Sequence, residues 1–224
     1  ARELPAERSR ALHSVGQQTG ATLFMLMLGA FAALLGHYSG QRDVVIGTAV
    51  AGREHPLTHR LVGFLVNTLA LRVDLSGDPG FGELIARVRR AALPAYANQD
   101  VTFEQIVEAL RPRRDPGRSP IFQVMLVLNA ERPPPVFAGL RASPVPVETG
   151  AAKFDLTLRV VDLGDRLRLR LEYNRDVFAA ATAEHMLADL ETLIAEATAA
   201  PERPLSKLLS PPWREARIAR EGAA

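Results

Sequence analysis

The chain has 224 residues, 47% of them hydrophobic and 23% charged, with a net charge of +2 and no cysteine. That length predicts one large domain or two small ones, with enough apolar content for a packed core. Disulfides and thiolate chemistry are excluded, a reducing cytoplasm is compatible, and the nearly balanced charge offers no argument for nucleic acid.

In chain order, residues 4–19 read as a weakly amphipathic, exposed helix, with Gly20 as its stop and Thr22 as the cap of the next. The next helix, 23–38, is apolar nearly all round and so has to be covered on more than one side, at the centre of a layered α/β domain. Its most apolar run is about 13 residues, short of the ~20 that span a bilayer, so no membrane is expected. Residues 39–43 form a turn, and 44–50 is a continuous β-branched run of the kind buried in a sheet. A loop at 51–59 rich in Gly, Pro and charge precedes an alternating strand at 64–75.

Residues 81–97 carry Phe81, Leu84, Ile85, Val88, Ala92 and Leu93 at helical spacing, and Thr102 caps a shorter helix ending at Leu110. A Pro and Arg loop follows at 111–120, then a strand at 121–129 and a Pro-rich excursion at 130–150. Alternation over 154–162 and 166–174 predicts a hairpin turning at Asp162 or Gly164. Thr182 is expected to cap a helix running to 200, and 201–224, with the lone Trp213, reads as a linker toward a following domain. The N-terminus lacks an initiator Met and a signal-peptide pattern, so residue 1 reads as a cut inside a longer chain.

No self-contained catalytic set emerges. Gly36-His37-Tyr38-Ser39-Gly40 comes near a nucleophile elbow but has its Ser one place late and follows a helix, as a helix stop does. His55 and His59 have a zinc-like gap, yet Pro56 prevents one helix face from presenting both and no third ligand is near. Asp100 and Glu104 stand at a helix start, where capping and the macrodipole explain them. Arg111, Arg113, Arg114 and Arg118 have the fork that matches phosphate, and a solvated loop is the competing reading.

Several ordered stretches resemble the later core motifs of nonribosomal peptide synthetase condensation domains. They are Ile46-Gly47-Thr48-Ala49-Val50-Ala51-Gly52-Arg53, Val62-Gly63-Phe64-Leu65-Val66-Asn67-Thr68-Leu69 and Asn98-Gln99-Asp100-Val101-Thr102-Phe103-Glu104. Arg118-Ser119-Pro120-Ile121-Phe122-Gln123-Val124-Met125, Lys153-Phe154-Asp155-Leu156-Thr157 and Leu171-Glu172-Tyr173-Asn174 complete the series. Where the family usually carries His ahead of Gln-Asp, this chain has Asn98.

The resemblance implies the chloramphenicol acetyltransferase-like fold, built of two α/β lobes around a tunnel. This chain resembles the second, C-terminal lobe, expected as a two-layer, mixed-sheet α/β lobe over residues 1–200. The family's catalytic signature, two adjacent His followed after three residues by Asp-Gly, belongs to the first lobe, whereas the five His here are all isolated. The lobe is therefore expected to form one wall of the tunnel and to be inactive alone. A non-catalytic carrier-docking module of the same half-fold is the alternative.

The implied substrates are the phosphopantetheine arms of donor and acceptor peptidyl carrier proteins, with no cofactor held directly. The first lobe and a following adenylation domain are the other implied partners, in the cytoplasm. Among site residues, Asn67 is the first candidate: its neutral amide can donate to a thioester oxygen or orient the amine, or can merely pair with backbone. Gly47 and Thr48 sit at the mouth of the preceding strand, where a glycine lets a pantetheine arm pass close, unless Gly47 is a bulge. Arg53 and Arg118 are expected to stabilise loops first and to contact phosphate second. The excursion at 130–150 is the segment expected to bridge onto the first lobe.

Overall fold

The computed structural model describes residues 1–113, 115, 117–131, 137–140, 142, 143, 145, 147 and 150–208. Its centre is α2 (Leu23–Ser39), in which every residue from Met25 to Leu35 is buried. Thr22 caps this helix by accepting the Met25 N–H, and Gly40 ends it in the left-handed conformation at φ 73°. Each large side chain buried along α2 stabilises the fold by roughly 1.5–3 kcal/mol.

A six-stranded mixed sheet lies against it, in the order β1 (Arg2–Leu4), β6 (Leu167–Tyr173), β5 (Leu156–Asp162), β4 (Val124–Ala130), β2 (Asp43–Val50) and β3 (Asn67–Asp74). The pairs β2/β4 and β4/β5 are parallel and the rest antiparallel. Register places Val44 opposite Val73, Ile46 opposite Leu71, Leu126 beside Leu158 and Val160 opposite Leu169, all buried. These residues share one face because strand side chains alternate. On that face lie α2, α3 (Phe81–Ala97), α1 (Ala6–Thr19) and α5 (Ala180–Ala199), giving a two-layer α/β lobe.

The opposite face is more polar. There Arg159 meets Glu172 at 3.3 Å, Arg168 meets Glu3 at 3.0 Å and Arg72 forks onto Asp43 at 2.8 and 2.5 Å. The Arg72 guanidinium holds the Asp43 carboxyl below the usual carboxylate range. Between α2 and α5, the Tyr38 hydroxyl donates to Asp189 at 2.7 Å. Burial, then the adjoining carboxylate, pushes that phenol well above its ordinary value.

Several expected boundaries move. β1 was not anticipated, and the first helix begins at Ala6 after Pro5, not at Leu4. The second strand starts at Asn67 instead of residue 64, and the third at Val124 instead of 121. The β2/β3 ladder stops at Val50 because Gly52 turns with φ 62° and lies so close to the Leu65 carbonyl that a Cβ would stand 1.9 Å from its oxygen. Phe64, Leu65 and Val66 consequently have no strand to pair with. Thr182 lies inside α5, whose N-cap is Ala179.

Nor does the chain leave the domain at Pro201. The Gly82 N–H donates to the Pro201 carbonyl at 3.0 Å, and Leu205 N–H to Pro79 at 3.0 Å. Asp78 accepts from both the N–H and the hydroxyl of Ser206, at 2.9 and 2.6 Å, and Leu208 is 3% exposed. The Ser206 hydroxyl lowers the Asp78 pKa. Most of the expected bridging excursion, and the expected linker with Trp213, fall outside the described residues.

Among the described residues no single helix is long and apolar enough to cross a membrane. α1 and α2 pass that test only as a pair, and they are bent by 107°.

Candidate functional site

The carboxyl ends of the parallel strands β2 and β4 open beside the first turn of α2 and the last turn of α3. A cavity of about 460 Å3 lies there, walled by Phe24, Thr48, Val50, Tyr96 and Leu128, with Arg53, Glu54 and Gln99 at its rim. Ligands in open α/β sheets bind outside the carboxyl ends of the strands, which makes this the first place to look. Thr48 is 2% exposed and reaches the cavity from the helix-facing side of the sheet. The rings of Phe24 and Tyr96 meet edge to face, 6.0 Å apart at 72°. Burial raises the Tyr96 pKa, so the phenol keeps its proton.

Asn67 lies behind this cavity. Its Nδ2 donates to the carbonyls of Gln99 at 2.9 Å and Val101 at 2.8 Å, and its Oδ1 accepts the N–H groups of Thr68 at 2.8 Å and Phe103 at 3.2 Å. Two donors and two lone pairs are all an amide has. Every one is spent on backbone, so Asn67 pins the connection from α3 to α4 (Phe103–Leu110) against β3. A bond to a thioester oxygen would require breaking one of these. Gln99, held in this way, donates through Nε2 to the Tyr96 carbonyl at 3.0 Å and to the Glu54 carboxylate. The chain of contacts therefore runs from Asn67 through Gln99 to Glu54.

Arg53 binds the carbonyls of Thr58, Leu61 at 2.9 Å and Gly63 at 3.4 Å, wrapping the 54–63 loop around its guanidinium. The His59 ring bonds the Arg53 carbonyl at 2.9 Å, and the His55 ring accepts the Leu57 N–H at 3.3 Å. Both imidazoles are thus loop braces, and no cluster of three or more His, Asp or Glu able to hold a metal occurs among the described residues. The loop presents Leu57, Leu61, Val62 and Phe64 to solvent, Phe64 at 88% exposure.

Gly47 requires a correction. Its place is not a passage for a pantetheine arm, because a Cβ there would stand 2.2 Å from the Phe122 ring. Phe122 is 3% exposed and lies 5.5 Å from Phe103 and 5.4 Å from Phe154, ring centre to ring centre. Gly47 is in register with Ala70 and Met125, with no bulge. The glycine admits an aromatic cluster that fastens α4 to the reverse face of the sheet.

Arg118 is elsewhere. It lines a shallow groove of about 990 Å3 beside α4 with Glu104, Glu108, Arg111 and Asp115, its Nε 3.8 Å from the Asp115 carboxylate. This groove is the larger, but its mixed, solvated charges converge on no common point, and the strand-end cavity has the better walls. Ser39, the near-elbow residue, bonds the Leu35 carbonyl at 2.8 Å as a helix end does. Thr102 forms a capping box with Gln105, and Asp100 takes no part in it.

Sequence reasoning reached Thr48, Asn67 and Arg53 but missed Phe24, Glu54, Tyr96, Gln99 and Leu128. Gln99 lay within a quoted motif; the others come from separate segments and share no spacing.

The Condensation domain family model matches residues 1–217. One of the linear gramicidin synthase proteins of Brevibacillus parabrevis is 44% identical over 208 residues, 92% of this chain and 3% of that protein. Malpinin synthetase of Mortierella alpina is 43% identical over 202 residues, 90% of this chain and 3% of that protein. The chain thus spans only a few per cent of the length of the curated relatives it matches. A holo four-domain nonribosomal peptide synthetase bound to AMP and glycine superimposes with a TM-score of 0.84 at 26% identity, over 96% of this chain and 18% of that one. The first condensation domain of the calcium-dependent antibiotic synthetase shares the fold, with a TM-score of 0.73 at 21% identity, over 93% of this chain and 46% of that one.

Proposed function

The chain belongs to the condensation-domain family, and we propose that it is the C-terminal lobe of one, supplying a wall of the tunnel in which an amine on the acceptor carrier attacks the donor thioester. Its products are peptide bonds in a nonribosomal assembly line, and its place is the cytoplasm. The observation that carries this reading is the cavity at the ends of β2 and β4, open at a rim whose loop holds Leu57, Leu61, Val62 and Phe64 in water. Contiguous exposed apolar surface of this kind marks an interface. The 46% coverage of a solved condensation domain supports a second lobe as its cover.

Joining two tethered substrates is a problem of position and of excluding water. Asn67 is a positioning residue in this reading, fixing the turn that carries Gln99 and, through it, Glu54. Arg53 holds the rim loop in shape. Arg118 stabilises its own loop and stands ready to meet a carrier's phosphate. The phosphopantetheine arms enter as substrates, with a following adenylation domain as neighbour.

The lobe supplies no paired His, so it is inactive by itself. Amide formation from carrier-bound substrates checks this: the two-lobed parent turns over and this chain does not. Turnover by the chain alone would overturn the assignment of the catalytic base to the other lobe. In the parent, Asn67→Ala lowers the condensation rate while the protein stays folded; an unchanged rate removes Asn67 from the site.

A further inference from the structure

The strand-end cavity has a chemical polarity that the reading above leaves unused. Its walls, Phe24, Val50, Leu128 and the Tyr96 ring, are apolar, and a volume of about 460 Å3 suits one amino-acid-sized group. Its rim carries a single carboxylate and a single guanidinium. Arg53 commits its N–H groups to the carbonyls of Thr58, Leu61 and Gly63. Glu54 pairs with no cation among the described residues, and the Gln99 amide fixes where its carboxylate sits. Inside, the Tyr96 phenol has no hydrogen-bond partner among the described residues and is kept protonated by burial.

An anion would meet the unpaired carboxylate and lose. A ligand with an amino group and an apolar body satisfies both parts of the site, because the ammonium gains a charge-assisted bond and the body leaves water. We infer that this cavity is a subsite for an aminoacyl group bearing a free α-amine and an apolar side chain, with Glu54 receiving the amine and Phe24, Val50 and Leu128 receiving the side chain. The inference rests on the condensation reading and adds to it the identity of the group that this lobe holds.

The test uses the 224-residue chain and the N-acetylcysteamine thioester of leucine, with binding followed by NMR shifts of the Thr48, Val50 and Leu128 methyl groups. Saturable shifts confined to these methyls are expected. The glycyl thioester, which lacks the apolar body, and the N-acetyl-leucyl thioester, which lacks the charge, each bind about tenfold more weakly.

Glu54→Gln weakens the leucyl thioester about tenfold and leaves the N-acetyl probe unaffected. Val50→Trp fills the cavity and abolishes binding, with a thermal melt of each variant verifying the fold. Equal binding of all three probes, an unaffected Glu54→Gln, or no shift at millimolar probe overturns the inference. A parent enzyme that forms amides at a rate indifferent to the acceptor side chain sinks this subsite and leaves the condensation reading standing. A parent that forms no amide sinks the reading itself.

Discussion

The face of the sheet beneath α2 and the rim at the ends of β2 and β4 are built by opposite means. Under α2, order comes from apolar contact: Leu26, Met27, Leu28 and Phe31 are wholly buried, and polar bonds such as Tyr38 to Asp189 lie at the periphery. At the rim, order comes from side chains bonded to backbone, Asn67 to four groups and Arg53 to three, while the apolar residues of the same loop face water. A surface meant to be covered later cannot be shaped by burial in advance, so hydrogen bonds to backbone shape it instead.

That contrast makes graded predictions. Phe31→Ala, on the packed side, has the largest effect, about 3–5 kcal/mol of stability lost in urea unfolding. A loss under about 1 kcal/mol would show that the α2 face is loosely packed. Gly47→Ala costs about 1–3 kcal/mol because the new methyl meets the Phe122 ring, and Phe122→Leu in the same chain recovers part of it. Strict additivity of the two changes would refute the overpacking.

Asn67→Ala loses about 1–3 kcal/mol by stranding backbone groups. Its distinguishing mark is faster amide exchange at Phe103 and neighbouring residues, with the α2 amides protected as before. Uniform loss of protection across the molecule would erase the distinction between the two regions.

Tyr38→Phe is the mildest, about 0.5–1.5 kcal/mol. The folded phenol has a raised pKa, so the folded state binds the proton more tightly than the unfolded one. Stability is therefore full below the unfolded value of about 10 and declines as pH rises above it. The variant should show a shallower alkaline decline, and an identical slope would remove Tyr38 as its source.

The packed side was also the side legible in the sequence. The spacing of Phe81, Leu84, Ile85 and Val88 located α3 at its observed bounds, and Thr22 and Thr102 were identified as caps from their side-chain chemistry. The hairpin turn used both suggested residues, with Asp162 accepting the Gly164 N–H at 2.9 Å and Gly164 at φ 89°. These are local signals, settled within one or two turns of chain.

The rim depends on distant meetings instead. Asn67 bonds residues more than thirty positions away, and Gly47 is a glycine because of Phe122. Alternation through Phe64 imitates a strand where no partner exists. Residues 201–208 looked like a linker because their anchors, Asp78 and Pro79, lie on the far side of the chain order.

The helix that is apolar all round also sets an order of events at the ribosome. α2 is made early, yet one of its covers, α5, begins at Ala180. At about 5–20 residues per second, roughly ten to thirty seconds separate the two during synthesis. Throughout that interval the greasiest segment of the nascent chain has an incomplete coat. Folding of this domain is thus governed by long-range closure, and its yield should depend on chaperones that shield α2 until the C-terminal helix emerges.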